Sequence, residues 1–247
     1  MIKTYLKLAA LVSALVFLAG CGKKGQIVES CDRELALCET EVFIPDNNFG
    51  LLTSFEGDDI VVAQLSDGAV LSKIPIAFDE YRVFLSMIDE NEGYLLYCST
   101  PGAGQMMKIL YFTKDRWNSY TEADISLKID GYPTSLSAMS KEQLFIGTQM
   151  RSNGFLFETT DGGRDWISFT VDGSVQNCQN GYAPIVDQEN DIAYVLLKCG
   201  ENYLLYQLND VWEKKGSFPL DTFVEEFFAS GGELYIVDDQ GRQFRIE

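Results

Sequence analysis

Phe155-Leu156-Phe157-Glu158-Thr159-Thr160-Asp161-Gly162-Gly163-Arg164-Asp165-Trp166 is an apolar strand that runs into a tight polar turn and restarts on a tryptophan. Two other stretches repeat that order, Leu110-Tyr111-Phe112 leading to Trp117 and Leu204-Leu205-Tyr206 leading to Trp212. Another apolar strand lies upstream of each: Tyr94-Leu95-Leu96-Tyr97, Leu144-Phe145-Ile146 and Ala193-Tyr194-Val195-Leu196. Before those come Val83-Phe84-Leu85, Leu136-Ser137-Ala138-Met139 and Ala183-Pro184-Ile185-Val186. A unit of four short strands repeated every 40–50 residues or so is the signature of propeller blades.

Two weaker units flank these three. The first runs from Leu51-Leu52 through Ile60–Ala63, the Asp67-Gly68 turn and Val70-Leu71 to Ile74–Phe78. The last holds Phe227-Phe228, Leu234–Val237 and Gln243–Ile246, one strand short of four. Glu41-Val42-Phe43-Ile44 is an apolar run left unused at the other end, and adding it to the last unit removes an open sheet edge. The expectation is an all-β domain over 41–247, a small propeller of about five four-stranded blades, its last blade completed by that N-terminal strand.

The turn Thr159-Thr160-Asp161-Gly162-Gly163-Arg164-Asp165-Trp166 resembles the Asp-box, or BNR repeat, with Asp165 where threonine is usual. The resemblance implies structural roles for Thr159, Asp161, Gly163 and Trp166. The Asp161 carboxylate accepts backbone N–H bonds, Gly163 supplies positive φ, and Trp166 folds onto the hairpin. Thr113–Trp117 and Asn209–Trp212 read as shortened relatives. In families that carry it the box lies on the blade periphery and is not catalytic. Sialidases share it, but they also carry an arginine triad with one arginine in an Arg-Ile-Pro step. Here the Ile-Pro steps are Lys73-Ile74-Pro75 and Phe43-Ile44-Pro45, so that chemistry is not expected.

The N-terminus reads as an address. Lys3 and Lys7 precede an apolar run, Leu8 to Phe17, too short for a membrane span. Leu18-Ala19-Gly20-Cys21 then resembles a lipobox, where signal peptidase II cuts and leaves a lipid-modified cysteine. Residues 1–20 are therefore expected to be a signal peptide and 21–40 a lipidated tether. The resemblance implies a palmitate-bearing lipoprotein of the cell envelope, held through acyl chains on Cys21. In a Gram-negative cell that is the outer membrane facing the periplasm, since Gly22 is not the aspartate that retains many lipoproteins at the inner membrane. Lipid-anchored Asp-box propellers include the photosystem assembly lipoproteins of cyanobacteria, which use more blades and a basic patch.

Removing residues 1–20 takes away two lysines and no acid, leaving 17 basic and 37 acidic side chains and a formal charge of −20. That balance excludes nucleic acid as a partner and suits a basic protein instead. Histidine is absent, so no Ser-His-Asp or Cys-His dyad exists and the commonest zinc ligand is missing. No catalytic residue, metal or cofactor is expected. Outside the cytoplasm disulfides are permitted, and Cys31–Cys38 and Cys178–Cys199 are the pairs expected, with Cys98 left over.

Propeller strand order sorts the loops onto two faces. The first-to-second turns are Glu56–Asp59, Asp89–Glu92, Ser140–Glu142, Asp187–Asp191 and Ser230–Glu233, which together hold eleven acids and one base, Lys141. An acidic ring on one face is the expectation. The opposite face receives the long loops, with Met106, Met107, Tyr132, Met150, Arg151 and Tyr182, and with Tyr81 and Arg82 from another loop. Met, Tyr and Arg are enriched in interfaces, so this face is expected to bind a protein. The reading is a non-catalytic scaffold or assembly factor. Its alternatives are an immunity protein that neutralises a basic periplasmic toxin, and a glycan-binding or glycan-active propeller with an exposed aromatic platform around a central acid pair.

Overall fold

A computed structural model of the chain describes residues 33–40, 49–102, 106–149, 156–171, 178–187, 189–209 and 211–247. Among them there are nineteen strands and no α-helix. In chain order β1 is Leu37–Thr40, and β2 (Leu51–Glu56), β3 (Asp59–Gln64) and β4 (Val70–Pro75) form a three-stranded sheet. Next come β5 (Glu80–Met87), β6 (Gly93–Ser99), β7 (Lys108–Thr113) and β8 (Thr121–Asp124), an up-and-down sheet of four. The strands β9 (Tyr132–Ala138), β10 (Leu144–Gln149), β11 (Leu156–Thr159) and β12 (Ile167–Phe169) repeat that order, as do β13 (Cys178–Asp187), β14 (Ile192–Cys199), β15 (Asn202–Leu208) and β16 (Trp212–Pro219). These two units join where Gln149, at the end of the inner strand β10, pairs with Asn180 of β13. The last unit is β17 (Val224–Ser230), β18 (Glu233–Asp238) and β19 (Gln243–Ile246), with β1 added antiparallel to β19.

Period-two alternation distributes the apolar side chains into seams between successive units. On β6, Leu95 and Tyr97 pack with Leu51, Ile60 and Ile74 of the first unit, while Tyr94, Leu96 and Cys98 face Leu144 and Ile146 of the third. Val195 and Leu197 of β14 face Leu156, whereas Leu196 faces Val224 and Ile236. Second strands are therefore covered on both sides, and every residue of β6 is buried. The fourth strand β8 is exposed throughout, as expected of a rim.

The chain thus folds as an all-β, propeller-type body, with three corrections to the sequence reading. The strand on β19 is Leu37–Thr40, paired from Leu37↔Ile246 to Thr40↔Gln243, and not Glu41–Ile44, which lies outside the described residues. Residues 33–36 also belong to the body rather than to a tether. Ser217 N–H donates to the Arg33 carbonyl, Leu35 is buried, and a Cβ at Gly216 would stand 2.6 Å from that carbonyl. Only glycine lets the N-terminal segment lie so close to β16.

The third correction is one of parity. An up-and-down unit of four enters and leaves at the same end, but β2–β4 is three strands, and β4 runs directly into β5. The start of β2 is therefore at the opposite end from the start of β5. Arg116 Nη2 confirms this by donating to the Phe49 carbonyl just before β2 while its Nη1 donates to the Glu90 carbonyl after β5. So β2, β3 and β4 stand as second to fourth strands, and the Glu56–Asp59 turn moves to the face where β5 begins. The expected acidic ring loses Glu56, Asp58 and Asp59.

Candidate functional site

The Asp-box turn is built as its residues imply. Thr159 Oγ1 donates to Asp161 Oδ1 (2.7 Å) and accepts from Gly163 N–H (3.0 Å). Asp161 Oδ1 also accepts from Arg164 and Asp165 N–H, and Trp166 Nε1 donates to the Gly163 carbonyl. Gly162 and Gly163 both have positive φ. The turn after β7 reproduces the pattern. Thr113 Oγ1 donates to Asp115 Oδ1 and accepts from Trp117 N–H, and Asp115 Oδ1 accepts from Ser119 N–H. Matching threonine to threonine places Arg116 and Trp117 at the two glycine positions, with φ of 55° and 68°, and Tyr120 at the position of Trp166. Thr113–Tyr120 is therefore a full sibling of the box rather than a shortened one, and Trp117 is not the counterpart of Trp166. Asn209–Trp212 has no such Thr–Asp pair.

Hydrogen bonds from Ser119 hold the Asp115 carboxyl below its usual range, and those led by Asp165 N–H do the same for Asp161. A depressed folded pKa contributes stability above the unfolded value, and that stability is lost as pH falls through the folded value. Below about pH 4 the melting temperature of the wild type is expected to fall more steeply than that of an Asp115→Asn/Asp161→Asn variant. Parallel melting curves from pH 6 to pH 2 or so would show that neither turn uses its charge.

The other end of the units holds the candidate site. The second-to-third loops and the crossovers into β5, β9, β13 and β17 meet there, and all four of those first strands bulge near that end. Tyr81, Thr134, Gln179 and Glu225 are the extra residues at these breaks of register. A bulge re-aims side chains that a regular ladder would alternate. Here it brings Arg82 of β5 and Glu225 of β17 together, Nη2 to Oε1 2.7 Å, across units far apart in sequence. Tyr182 donates to the Val224 carbonyl (2.8 Å), and Thr134 Oγ1 donates to the Gly181 carbonyl. Burial pushes the Tyr182 phenol upward, with neighbouring Tyr203 adding to it.

Glu226, next to the bulge, is solvent-exposed, though neighbouring protein partly desolvates its charge. Burial raises its pKa and the Glu225 charge raises it further. Asn180 is 3% exposed, and among the described residues its Oδ1 has no hydrogen-bond partner. Around this centre large apolar side chains face solvent on the crossovers: Phe78 (53% exposed), Tyr81 beneath the Arg82 guanidinium, Phe223, and on the next crossover Leu127 (93%). Sequence reading named Tyr81 and Arg82 but missed Phe78, Leu127, Phe223, Asn180, Glu225 and Glu226. An isolated aromatic before a strand carries no periodic signal, and one acid among 37 carries none either.

Of the expected contact residues, Met106 and Tyr182 are buried in the seams, which removes them from a partner's reach. Met107 and Tyr132 are half-buried at this end. Met150 and Arg151 lie outside the described residues, as does Cys21. Cys178 and Cys199 form a disulfide where β13 and β14 meet this face. Cys38 is a free thiol beside Glu247 on the β1–β19 edge, and Cys31, its expected partner, lies outside the described residues. Cys98 is a buried thiol, pushed up to about 12 by burial. Among the described residues no three His, Cys, Asp or Glu come together as metal ligands.

The opposite face keeps eight acids on its four first-to-second turns, now without the first unit. Turn geometry explains two of them. Asp89 caps the N–H groups of Asn91 and Glu92, and Asp187 accepts from Glu189 N–H and the Asn190 side chain.

No family model matches the chain, and no curated protein does. Solved structures do resemble it. The BBS1N chain crystallised with ARL6DN and soaked with lead shares 13% identity at a TM-score of 0.50, over 92% of this chain and 65% of that one. YCF48 bound to D1 peptide shares 14% at 0.43, over 75% of this chain, which spans 57% of that one. The GH43_1 enzyme from Xanthomonas citri shares 10% at 0.43, over 96% and 92%. These are β-propeller proteins of mixed function, including enzymes, and the likeness shows the fold alone.

Proposed function

We propose that the chain is a non-catalytic lipoprotein of the bacterial envelope, anchored through acyl chains on Cys21, whose five-bladed disc docks a protein partner. The disc closes with β1 as the fourth strand of the last blade. The docking face is the one where the first strands bulge. The observation that carries the reading is the group of exposed large side chains there, Phe78, Tyr81, Leu127 and Phe223, around the Arg82–Glu225 pair. Aromatic anchors on rigid crossovers are what partner-binding surfaces supply. An acid-rich chain favours a partner with basic character.

The test is mild cross-linking in native envelopes, capture of the lipidated chain and mass spectrometry of its neighbours. A Tyr81→Ser/Phe223→Ser variant is expected to lose at least tenfold of the captured partner while melting within a few degrees of wild type. Unchanged capture would move the interface elsewhere. Stable envelope components among the neighbours identify a scaffold, whereas capture only when a basic toxin is supplied identifies the immunity role.

The same aromatics and the neighbouring acids Glu225 and Glu226 also suit the glycan reading. A glycosidase, however, needs two carboxyls facing one another across a bond, about 5–9.5 Å apart. These acids are consecutive on one strand, and Arg82 engages the first. Sugar binding that survives high salt would restore that reading.

A further inference from the structure

We infer that the open edge of β8 takes up an extended strand of a second protein, with one aromatic side chain lodged in the cleft between the second and third units and basic side chains on the strand's other side. The cleft lies at the end of the units away from the bulges, so the inference stands apart from the docking reading. Edge, cleft and charge carry it together.

β8 is the fourth strand of its unit and pairs with β7 alone, from Phe112↔Thr121 to Ile109↔Asp124. Ile125 N–H donates to the Lys108 carbonyl (2.9 Å), which fixes the phase of the ladder. Hydrogen-bonded pairs alternate with unbonded ones along antiparallel strands, so Thr121 and Ala123 turn their backbone groups to β7. Those of Glu122 and Asp124 point outward, and no strand meets them among the described residues. All four residues are exposed. Such an edge is a template for a further strand.

Beside it lies a cleft of about 210 Å³. Tyr94 and Leu110, both buried, and half-buried Phe112 form its floor, with Ala123 on one rim and Lys141 and Arg164 on the other. Small-molecule sites run to about 300–1,000 Å³, whereas this one has the room of a single large side chain. The Tyr94 hydroxyl is already committed to the Lys141 carbonyl (2.7 Å), which leaves the floor apolar. The Lys141 ammonium stands 5.5 Å from the Phe112 ring centroid, and Arg164 Nε donates to the Asp161 carbonyl (3.2 Å). A ring entering here meets apolar surface below and two cations at the rim, which its π face attracts. Glu142 shares that rim, so a neutral ring suits the cleft better than an ion of either sign.

Alternation sets Thr121 and Ala123 on the cleft side with Leu110 and Phe112, and Glu122 and Asp124 on the other side. Neither acid has an ion-pair partner among the described residues, although Asp124 Oδ1 accepts from Ser126 N–H (2.8 Å). Residues opposite these acids on an incoming strand are therefore basic, and the one between them, opposite Ala123, points into the cleft. A second copy of this chain is a poor occupant. Pairing β8 with β8 sets acid against acid, in a chain with 37 acidic and 19 basic residues.

The probe is a fluorescein-labelled peptide, Gly-Ser-Lys-Phe-Lys-Thr-Gly, added to the full chain in non-ionic detergent and followed by anisotropy at low salt. It is expected to bind at least about tenfold more tightly than a peptide with serine for the phenylalanine, or one with glutamates for the lysines. Glu122→Pro removes an outward N–H and leaves the β7 ladder whole, as edge strands tolerate, and should weaken binding at least about tenfold. Glu122→Gln keeps that N–H and loses only the charge, so binding should weaken about threefold. Ala123→Trp fills the cleft from its own rim and should erase the preference for phenylalanine over serine. Each variant is expected to melt within a few degrees of wild type, because both positions face solvent. Equal binding of the phenylalanine and serine peptides, unchanged affinity in Glu122→Pro, persistence of the preference in Ala123→Trp, or no binding at about 1 mM peptide would each overturn the inference. So would loss of the peptide from Tyr81→Ser/Phe223→Ser, which would put it on the bulged face. Partner capture by that variant tests the docking reading alone.

Discussion

Trp117→Ala is expected to cost about 3–5 kcal/mol of unfolding free energy, the range for deleting a buried indole. Trp117 is fully buried in the seam between the first two units, against Leu51, Met87 and Tyr111, and its Nε1–H points at Met87 Sδ (3.4 Å). At about 2–4 °C per kcal/mol for a domain of this size, the melting temperature falls by roughly 6–20 °C. The backbone adds a second layer. Trp117 holds φ at 68°, costly for a residue with a Cβ, and packing of the indole pins it there. Alanine keeps the backbone cost and loses the packing. Trp117→Gly relieves the strain but leaves the same cavity, so it should fall short of wild type yet exceed alanine. Trp166→Ala is the control. Trp166 is half-buried, so its loss should be clearly smaller. Equal losses at the two sites would refute the matching of Trp117 to Gly163.

Cys21→Ser is expected to move the protein from the membrane fraction to the soluble fraction almost completely. Each buried CH₂ of an acyl chain contributes about 0.8 kcal/mol, so loss of the modified cysteine removes the whole anchor, and an acidic body has no attraction for anionic lipid to replace it. The melting temperature should not change, because Cys21 precedes the packed segment that starts by Arg33. A serine variant that still sediments with membranes would end the lipoprotein reading.

Much of the fold was legible because strands announce themselves by alternation, and four seams need four sets of alternating apolar residues. What misled was the tryptophan spacing. Trp117 and Trp166 look equivalent from a distance, but the turn is organised by Thr113 and Thr159, whose hydroxyls close the same ring of hydrogen bonds. Glycine usually marks a positive-φ site. Arg116-Trp117 occupies two such sites without it, so the sibling turn had no glycine to reveal it. Parity, by contrast, was available in the sequence. Three strands before a crossover cannot start at the same end as four, and that alone reassigns Glu56–Asp59. The site was less legible than the fold. Tyr81 and Arg82 stood out as interface residues, but Glu225, Glu226 and Asn180 draw their meaning from bulges that fold strands from different units toward one point. No local pattern encodes that meeting.

The pairing of Leu37 with Ile246 sets a clock for the molecule. A chain emerges from synthesis N-terminus first, so β1 appears early and waits, unpaired, until β19 has followed it. Until then the last sheet lacks its outer strand and Leu35 lacks the seam that buries it. Contacts so distant in sequence form late and slowly, and an exposed strand edge invites pairing with other chains. The interval between emergence of β1 and arrival of β19 is thus when the open edge of the last sheet is most exposed to pairing with other chains.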